Sequence, residues 1–208
     1  MSYVKLKEDG SIDITDLERI LSENKNDKIL VSLMHANNEI GNLLDLKKVG
    51  DLCKEYDALF MSDTVQTVGH LPVHFKEWNL DFITASAHKF NGPKGVGFLV
   101  LNNEIKLKPF IQGGSQERNM RGGTENIYGI AGLSKALEIS INEMEMMEKK
   151  LNGFKEHMIS GLKKIEDDTQ INGNPNPDES LYTVLNVSFP KSSDSDMLLF
   201  NLDISGIC

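Results

Sequence analysis

The densest chemistry in the sequence lies in Thr84-Ala-Ser-Ala-His-Lys-Phe-Asn-Gly-Pro-Lys-Gly-Val-Gly97. An apolar run delivers Ser86, His88 and Lys89 at its end, and a Gly/Pro-rich turn follows at once. Ligands of open α/β sheets bind beyond the carboxyl ends of strands, so a lysine here beside a histidine is placed to act as a Schiff-base nucleophile. Two other segments end in the same manner. Met61-Ser-Asp63-Thr-Val-Gln66 puts a carboxylate and an amide after an apolar run, and His35-Ala-Asn37-Asn38-Glu39-Ile-Gly41 follows a third. Each part has a plainer reading when taken singly: Lys89 as a solvated strand-end lysine, Asn37 and Asn38 as turn residues, Asp63 as a helix N-cap. Jointly they supply what pyridoxal phosphate needs. A carboxylate keeps the pyridine nitrogen protonated and an amide donates to the phenolate oxygen. Hydroxyl and imidazole donors take the phosphate, and a lysine amine takes the aldehyde.

Such a set needs strands to carry it. Residues 29–34, 58–62, 82–86 and 97–101 are apolar runs of strand length. They alternate with helical patterns. Thr15-Asp-Leu-Glu18 reads as a capping box with Leu17, Ile20 and Leu21 inward, and Leu46, Val49, Leu52 and Cys53 keep helical spacing. Continuously apolar strands between helices predict an α/β fold with a mostly parallel sheet covered on both faces. From Ile127 the helical spacing runs through Ile141 toward Ile165, so a long linking helix is expected over about residues 126–165. The turn-rich stretch Asn172-Gly-Asn-Pro-Asn-Pro-Asp178 then leads to an expected strand over 182–189 and a short helix over 197–202. Two units follow from this pattern: residues 1–140 as part of a larger domain and 141–208 as part of a smaller one.

Composition narrows the function classes. The chain has 208 residues, 39% hydrophobic and 25% charged, enough for one or two domains without disulfide staples. Lys plus Arg is 22 against 31 Asp plus Glu, and the net charge of −9 repels a nucleic-acid backbone. No apolar run approaches the roughly 20 residues of a membrane span, and the start has no apolar leader segment. With two cysteines, Cys53 and Cys208, a disulfide framework is not expected and a reducing cytoplasm is. Cys53 falls on the apolar side of its helix and reads as a small buried hydrophobe. His70, His74 and His157 have no metal-ligand spacing and read as surface or loop residues, so no metal is expected. Of three arginines, Arg118 and Arg121 share one Gly-rich loop.

Four ordered motifs carry a resemblance: His35-Ala-Asn-Asn-Glu-Ile-Gly41, Asp63-Thr-Val-Gln66, Ser86-Ala-His-Lys-Phe-Asn-Gly-Pro-Lys-Gly95 and Gly113-Gly-Ser-Gln-Glu-Arg-Asn-Met-Arg-Gly-Gly-Thr-Glu-Asn126. They closely resemble the cysteine desulfurases, fold-type I pyridoxal-phosphate enzymes of the class V aminotransferase group. The resemblance implies the three-layer α/β/α large domain of that fold plus part of a smaller α+β C-terminal domain. It implies Lys89 as the catalytic lysine that takes the cofactor aldehyde, with Ser86 and His88 chiefly on the phosphate. Asp63 is then on the pyridinium nitrogen and Gln66 and Asn38 on the phenolic side, while Thr124 reaches the phosphate of the other subunit of a homodimer. The implied reaction takes sulfur from L-cysteine: a catalytic cysteine attacks the substrate sulfur, alanine leaves, and the resulting persulfide goes to iron–sulfur cluster assembly or another acceptor protein. Another class V enzyme such as a selenocysteine lyase, and a folded non-catalytic fragment, are the alternatives. The family's N-terminal phosphate loop and ring-stacking histidine have no counterpart before Ile29. Its mobile cysteine loop falls just past Cys208, so the chain is expected to be an internal portion, inactive by itself.

Overall fold

Three parallel strands and one antiparallel strand make the principal sheet of the computed structural model, which describes residues 1–174, 176–192 and 195–207. Strands β1 (Leu30–Met34), β2 (Leu59–Asp63) and β3 (Phe82–Ser86) run parallel, and β4 (Gly97–Leu101) closes the sheet antiparallel to β3. The expected α/β class and mostly parallel sheet are both present. Registers align Met34 with Asp63 and Asp63 with Thr84, so the three parallel strands finish in one row.

Helices α1 (Ile14–Glu23) and α2 (Leu46–Glu55) pack Leu17, Leu21, Leu46, Val49 and Cys53 against Val31, Phe60 and Ile83. Helix α1 is capped two residues earlier than the Thr15 capping box implies. The Asp13 carboxylate accepts from the Thr15 and Asp16 amides, while the Asp16 carboxylate bonds Arg19 at 2.8 Å and the Lys5 amide at 3.0 Å. Alternate strand residues point to opposite faces, and the second face is open to solvent in this chain. It presents Leu30 at 55%, Met34 at 49% and Leu99 at 48% exposure.

Beyond β4 comes α3 (Gln116–Asn119), a short turn, and then α4 (Ile127–Ile165), an unbroken 39-residue helix. Asn126 caps it by accepting from the Gly129 amide. Leu133, Ala136 and Leu137 of α4 cover a second, smaller core of Val68, Ala85, Ala87 and Phe90. A two-stranded antiparallel sheet, β5 (Gln170–Ile171) with β6 (Val187–Ser188), and α5 (Leu198–Ile204) complete the elements. The strand expected over 182–189 shrinks to β6. Its start is drawn elsewhere: the amide of Leu181, the residue before it, donates to the Gly41 carbonyl at 2.7 Å, and the Tyr182 side chain turns inward. Cys208 lies outside the described residues.

Candidate active site at the carboxyl edge of the sheet

The residues after β1, β2 and β3 remain stitched beyond the strands proper. The His35 amide donates to the Asp63 carbonyl at 2.9 Å, and the Thr64 amide to the Thr84 carbonyl at 3.1 Å. Six of the expected site residues therefore leave the sheet along one edge. Asn38 follows β1, Asp63 ends β2 with Gln66 just beyond it, and Ser86 ends β3 with His88 and Lys89 in the turn after it.

The side chains differ in how they are held. Asp63 is exposed, and one carboxylate oxygen accepts from the Val65 amide at 2.9 Å. Gln66 is half-buried. Asn38 stands exposed on a turn organised by Asn37, whose side-chain oxygen accepts from the Glu39 and Ile40 amides; its own amide donates to Glu39 Oε1 at 2.8 Å. Ser86 Oγ lies 2.8 Å from His88 Nδ1. With Lys94, Gly95 and Val96 these two line a shallow depression. Gly95 sits at φ +80 with no heavy atom near the position of a Cβ, a conformation that glycine adopts without strain. A hydroxyl, an imidazole and an ammonium bordering one depression favour an oxyanion such as phosphate.

Lys89 sits on a single 3₁₀ turn, Ala87–Phe90, that connects β3 to β4 and ends at Asn91 in the left-handed region, φ 63. Its side chain is exposed, while its neighbour Phe90 is fully buried and anchors the turn. The Lys89 carbonyl is 2.9 Å from His70 Nε2, and the Phe90 carbonyl accepts from Ser140 Oγ at 3.3 Å.

Thr124 is exposed two residues ahead of Asn126, the N-cap of α4. The loop before it folds on its own chain. Gly122 donates to the Ile111 carbonyl at 2.9 Å, Gly123 to Gln116 Oε1 at 3.1 Å, and Glu117, Arg118 and Asn119 carry positive φ. Among the described residues no hydrogen bond joins Thr124 to the other six.

Three structural features in and around this edge escape the sequence. Lys94 is visible only as part of a Gly-Pro-Lys-Gly turn. His70 meets the Lys89 turn through a backbone carbonyl, which no side-chain pattern encodes. His35 is buried with Nδ1 2.8 Å from Thr67 Oγ1 and its ring edge-on to Trp78, and burial lowers its pKa to about 4. Cys53 is buried as expected, and burial with the Asp81 charge pushes its thiol up to about 12. No group of three or more His, Cys, Asp or Glu among the described residues could hold a metal ion.

The family model described as aminotransferase class-V matches residues 1–208. A cysteine desulfurase IscS of Dictyoglomus turgidum is 41% identical over 207 residues, which is 100% of this chain and 51% of that protein. An IscS of Clostridium botulinum is 38% identical with the same coverage. A crystal structure of a NifS-like protein from Rickettsia africae superposes with a TM-score of 0.91 at 32% identity, covering 99% of this chain and 56% of that one. The chain thus spans about half the length of the curated relatives it matches.

Proposed function

The chain belongs to the class-V aminotransferase family, and from that premise we propose that it carries the cofactor-binding core of a pyridoxal-phosphate-dependent cysteine desulfurase. The observation that carries the reading is the shared strand edge: one register row brings Asp63 beside the end of β3, where Ser86 and His88 pair at 2.8 Å and Lys89 follows. The donor set fits the cofactor. Ser86, His88 and Lys94 border a depression suited to a phosphate, and one Asp63 carboxylate oxygen is fixed by the Val65 amide, leaving the other for a ring N–H.

Bound there, the cofactor supplies an electron sink for chemistry at the substrate α-carbon. The chain's own residues do the rest. Lys89 holds the aldehyde through its amine. Asp63 keeps the ring nitrogen protonated, because a carboxylate beside it favours the charged form. Gln66 and Asn38 orient the phenolic side, and Ser86 and His88 hold the phosphate in one rotational position.

Sulfur transfer asks for a nucleophilic thiol, and the thiolate is the reactive form. Cys53 is unsuited to it: the thiol is buried and held protonated far above neutral pH. Cys53 is therefore structural in this reading.

L-cysteine is the proposed substrate and alanine the product, with the sulfur passing to an acceptor protein or to iron–sulfur cluster assembly. A homodimer is proposed as the working form, with Thr124 turned toward the partner's phosphate. The apolar surface near Thr124 supports it: Ile127 and Tyr128, in the first turn of α4, are both exposed. The division into a cofactor domain over 1–140 and a smaller domain over 141–208, joined by α4, belongs to the same proposal. No described helix is long and apolar enough to cross a membrane, in keeping with the proposed cytoplasmic location.

The test is to mix the chain with one equivalent of pyridoxal phosphate, reduce with borohydride, and map the labelled lysine by mass spectrometry. Label concentrated on Lys89 and lost in Lys89→Ala supports the reading. Label spread over the surface lysines refutes it.

A further inference from the structure

Two consecutive carbonyls at the end of the Lys89 turn are held from outside the turn. Carbonyls at the end of a short helical turn have no partner within it. The turn's own bonds run to Ala87, whose carbonyl accepts from the Asn91 amide and, at 2.8 Å, from the Gly92 amide. The Phe90 carbonyl takes the Ser140 hydroxyl of α4, and the Lys89 carbonyl takes His70 Nε2 at 2.9 Å. A carbonyl only accepts, so Nε2 carries a hydrogen in this contact.

Close approach is built in at Gly69, which sits at φ +83. A Cβ there would come within 2.8 Å of Phe90 Cβ and 3.2 Å of Ser140 Cβ. His70 is held in turn by Tyr182. The phenol donates to the His70 carbonyl at 3.1 Å, stands 3.5 Å from its Nδ1, and meets the imidazole edge-on with ring centroids 6.1 Å apart. Tyr182 is buried, and burial with the Glu148 charge pushes its hydroxyl up to about 12, so it remains a donor throughout the physiological range. The segment leading into Tyr182 is pinned on both sides. Leu181 donates to the Gly41 carbonyl, and Lys155 of α4 donates to the Leu181 carbonyl at 3.1 Å and to Ser180 Oγ at 3.0 Å.

We propose that His70 and Tyr182 are positioning residues for Lys89, a relay by which the segment after α4 sets the placement of the lysine turn. The proposal rests on the reading of Lys89 as the cofactor lysine and deepens it. Neither residue touches the cofactor in this account. They act in series through the backbone that carries the lysine: Tyr182 donates to the His70 carbonyl, and His70 Nε2 donates to the Lys89 carbonyl.

Amide hydrogen exchange on the cofactor-free 208-residue chain tests the relay directly. His70→Ala is expected to speed exchange at Asn91 and Gly92 by about tenfold, the worth of one internal hydrogen bond, with His70→Gln within about threefold of wild type because it retains an N–H donor. Tyr182→Phe keeps the ring and removes the hydroxyl, and is expected to give an increase of about threefold. It decides alone if His70→Ala does not fold. Unchanged exchange in Tyr182→Phe and in any folded His70→Ala overturns the proposal.

The borohydride labelling experiment then reads the consequence. His70→Ala is expected to lower the share of label on Lys89 by about tenfold and His70→Gln to restore it; equal labelling in all three overturns the positioning role. A wild-type chain with the exchange effects intact but no preference for Lys89 overturns the lysine assignment while the relay stands.

Discussion

The Ser86 hydroxyl and His88 Nδ1 stand 2.8 Å apart, although one residue ends β3 and the other lies within the turn that carries Lys89. Each side chain fixes the rotamer of the other, so the two groups border the depression as one hydrogen-bonded unit. A preorganised pair loses less entropy on binding an anion than two free side chains. Ser86→Ala removes one donor and frees the other. It is expected to weaken pyridoxal phosphate binding by about tenfold to a hundredfold, the range for a hydrogen bond to a charged group. An absorbance titration measures it, and inorganic phosphate should compete at the wild-type site and less well at the variant.

Asp63 separates structural from electrostatic roles. The carboxylate oxygen that accepts from the Val65 amide has a counterpart in the asparagine carbonyl. Asp63→Asn is therefore expected to fold normally, with little change in Tm. What the variant lacks is the charge that keeps a ring nitrogen protonated. Cofactor affinity is expected to fall by about tenfold, with a changed absorption spectrum for the lysine-bound form. Unaltered affinity and spectrum would remove Asp63 from the site.

Much of this arrangement is legible in the sequence because strands and their polar ends are local patterns. The runs that become β1 to β4 are apolar throughout, and each motif follows its strand at once. What the sequence hides is long-range or carried by the backbone. Tyr182 sits in a run that reads as strand, yet its phenol is drawn 112 positions back to His70, and the ladder begins only at Val187. His70 itself reads as a loop histidine, because its partner is the carbonyl of Lys89. The N-cap of α1 falls to Asp13 because its carboxylate accepts from the Thr15 and Asp16 amides and so starts the helix before Thr15, while a template match at Thr15 and Glu18 does not weigh an acceptor two residues upstream. The open second face of the sheet is likewise silent in the sequence, since buried and unpartnered apolar residues look alike.

Gly50 marks the closest approach in the main core. It lies within α2, where a Cβ would run into the Trp78 carbonyl and touch Asn79 Cβ at 3.5 Å. Backbone cannot give way as a side-chain tip can. Alanine is favoured in helices, so propensity alone makes Gly50→Ala stabilising. The steric cost wins here. Thermal denaturation is expected to show a loss of about 1–3 kcal/mol, as for overpacked cores. A gain in Tm would mean that α2 packs less tightly on the 78–79 segment.

His35 makes stability depend on pH in a direction set by burial. Its ring lies under Trp78 with Nδ1 against Thr67 Oγ1, and the Thr67 hydroxyl is engaged with the Thr64 carbonyl at 3.3 Å, so Nδ1–H is the donor of a neutral imidazole. Burial lowers the folded-state pKa to about 4, from 6.5 in an exposed histidine. Between these values the unfolded chain binds a proton that the folded chain refuses, so stability rises with pH across that window. The contribution is present in full above about pH 6.5 and is lost as pH falls toward 4. The gap corresponds to a loss on the order of 3 kcal/mol. Urea denaturation between pH 4 and 7 measures it, with His35→Asn as the reference, because Asn retains an N–H for Thr67 and does not titrate. The variant is expected to have a flatter profile than wild type over this range. Parallel profiles would show that His35 charges as readily in the folded chain as in the unfolded one.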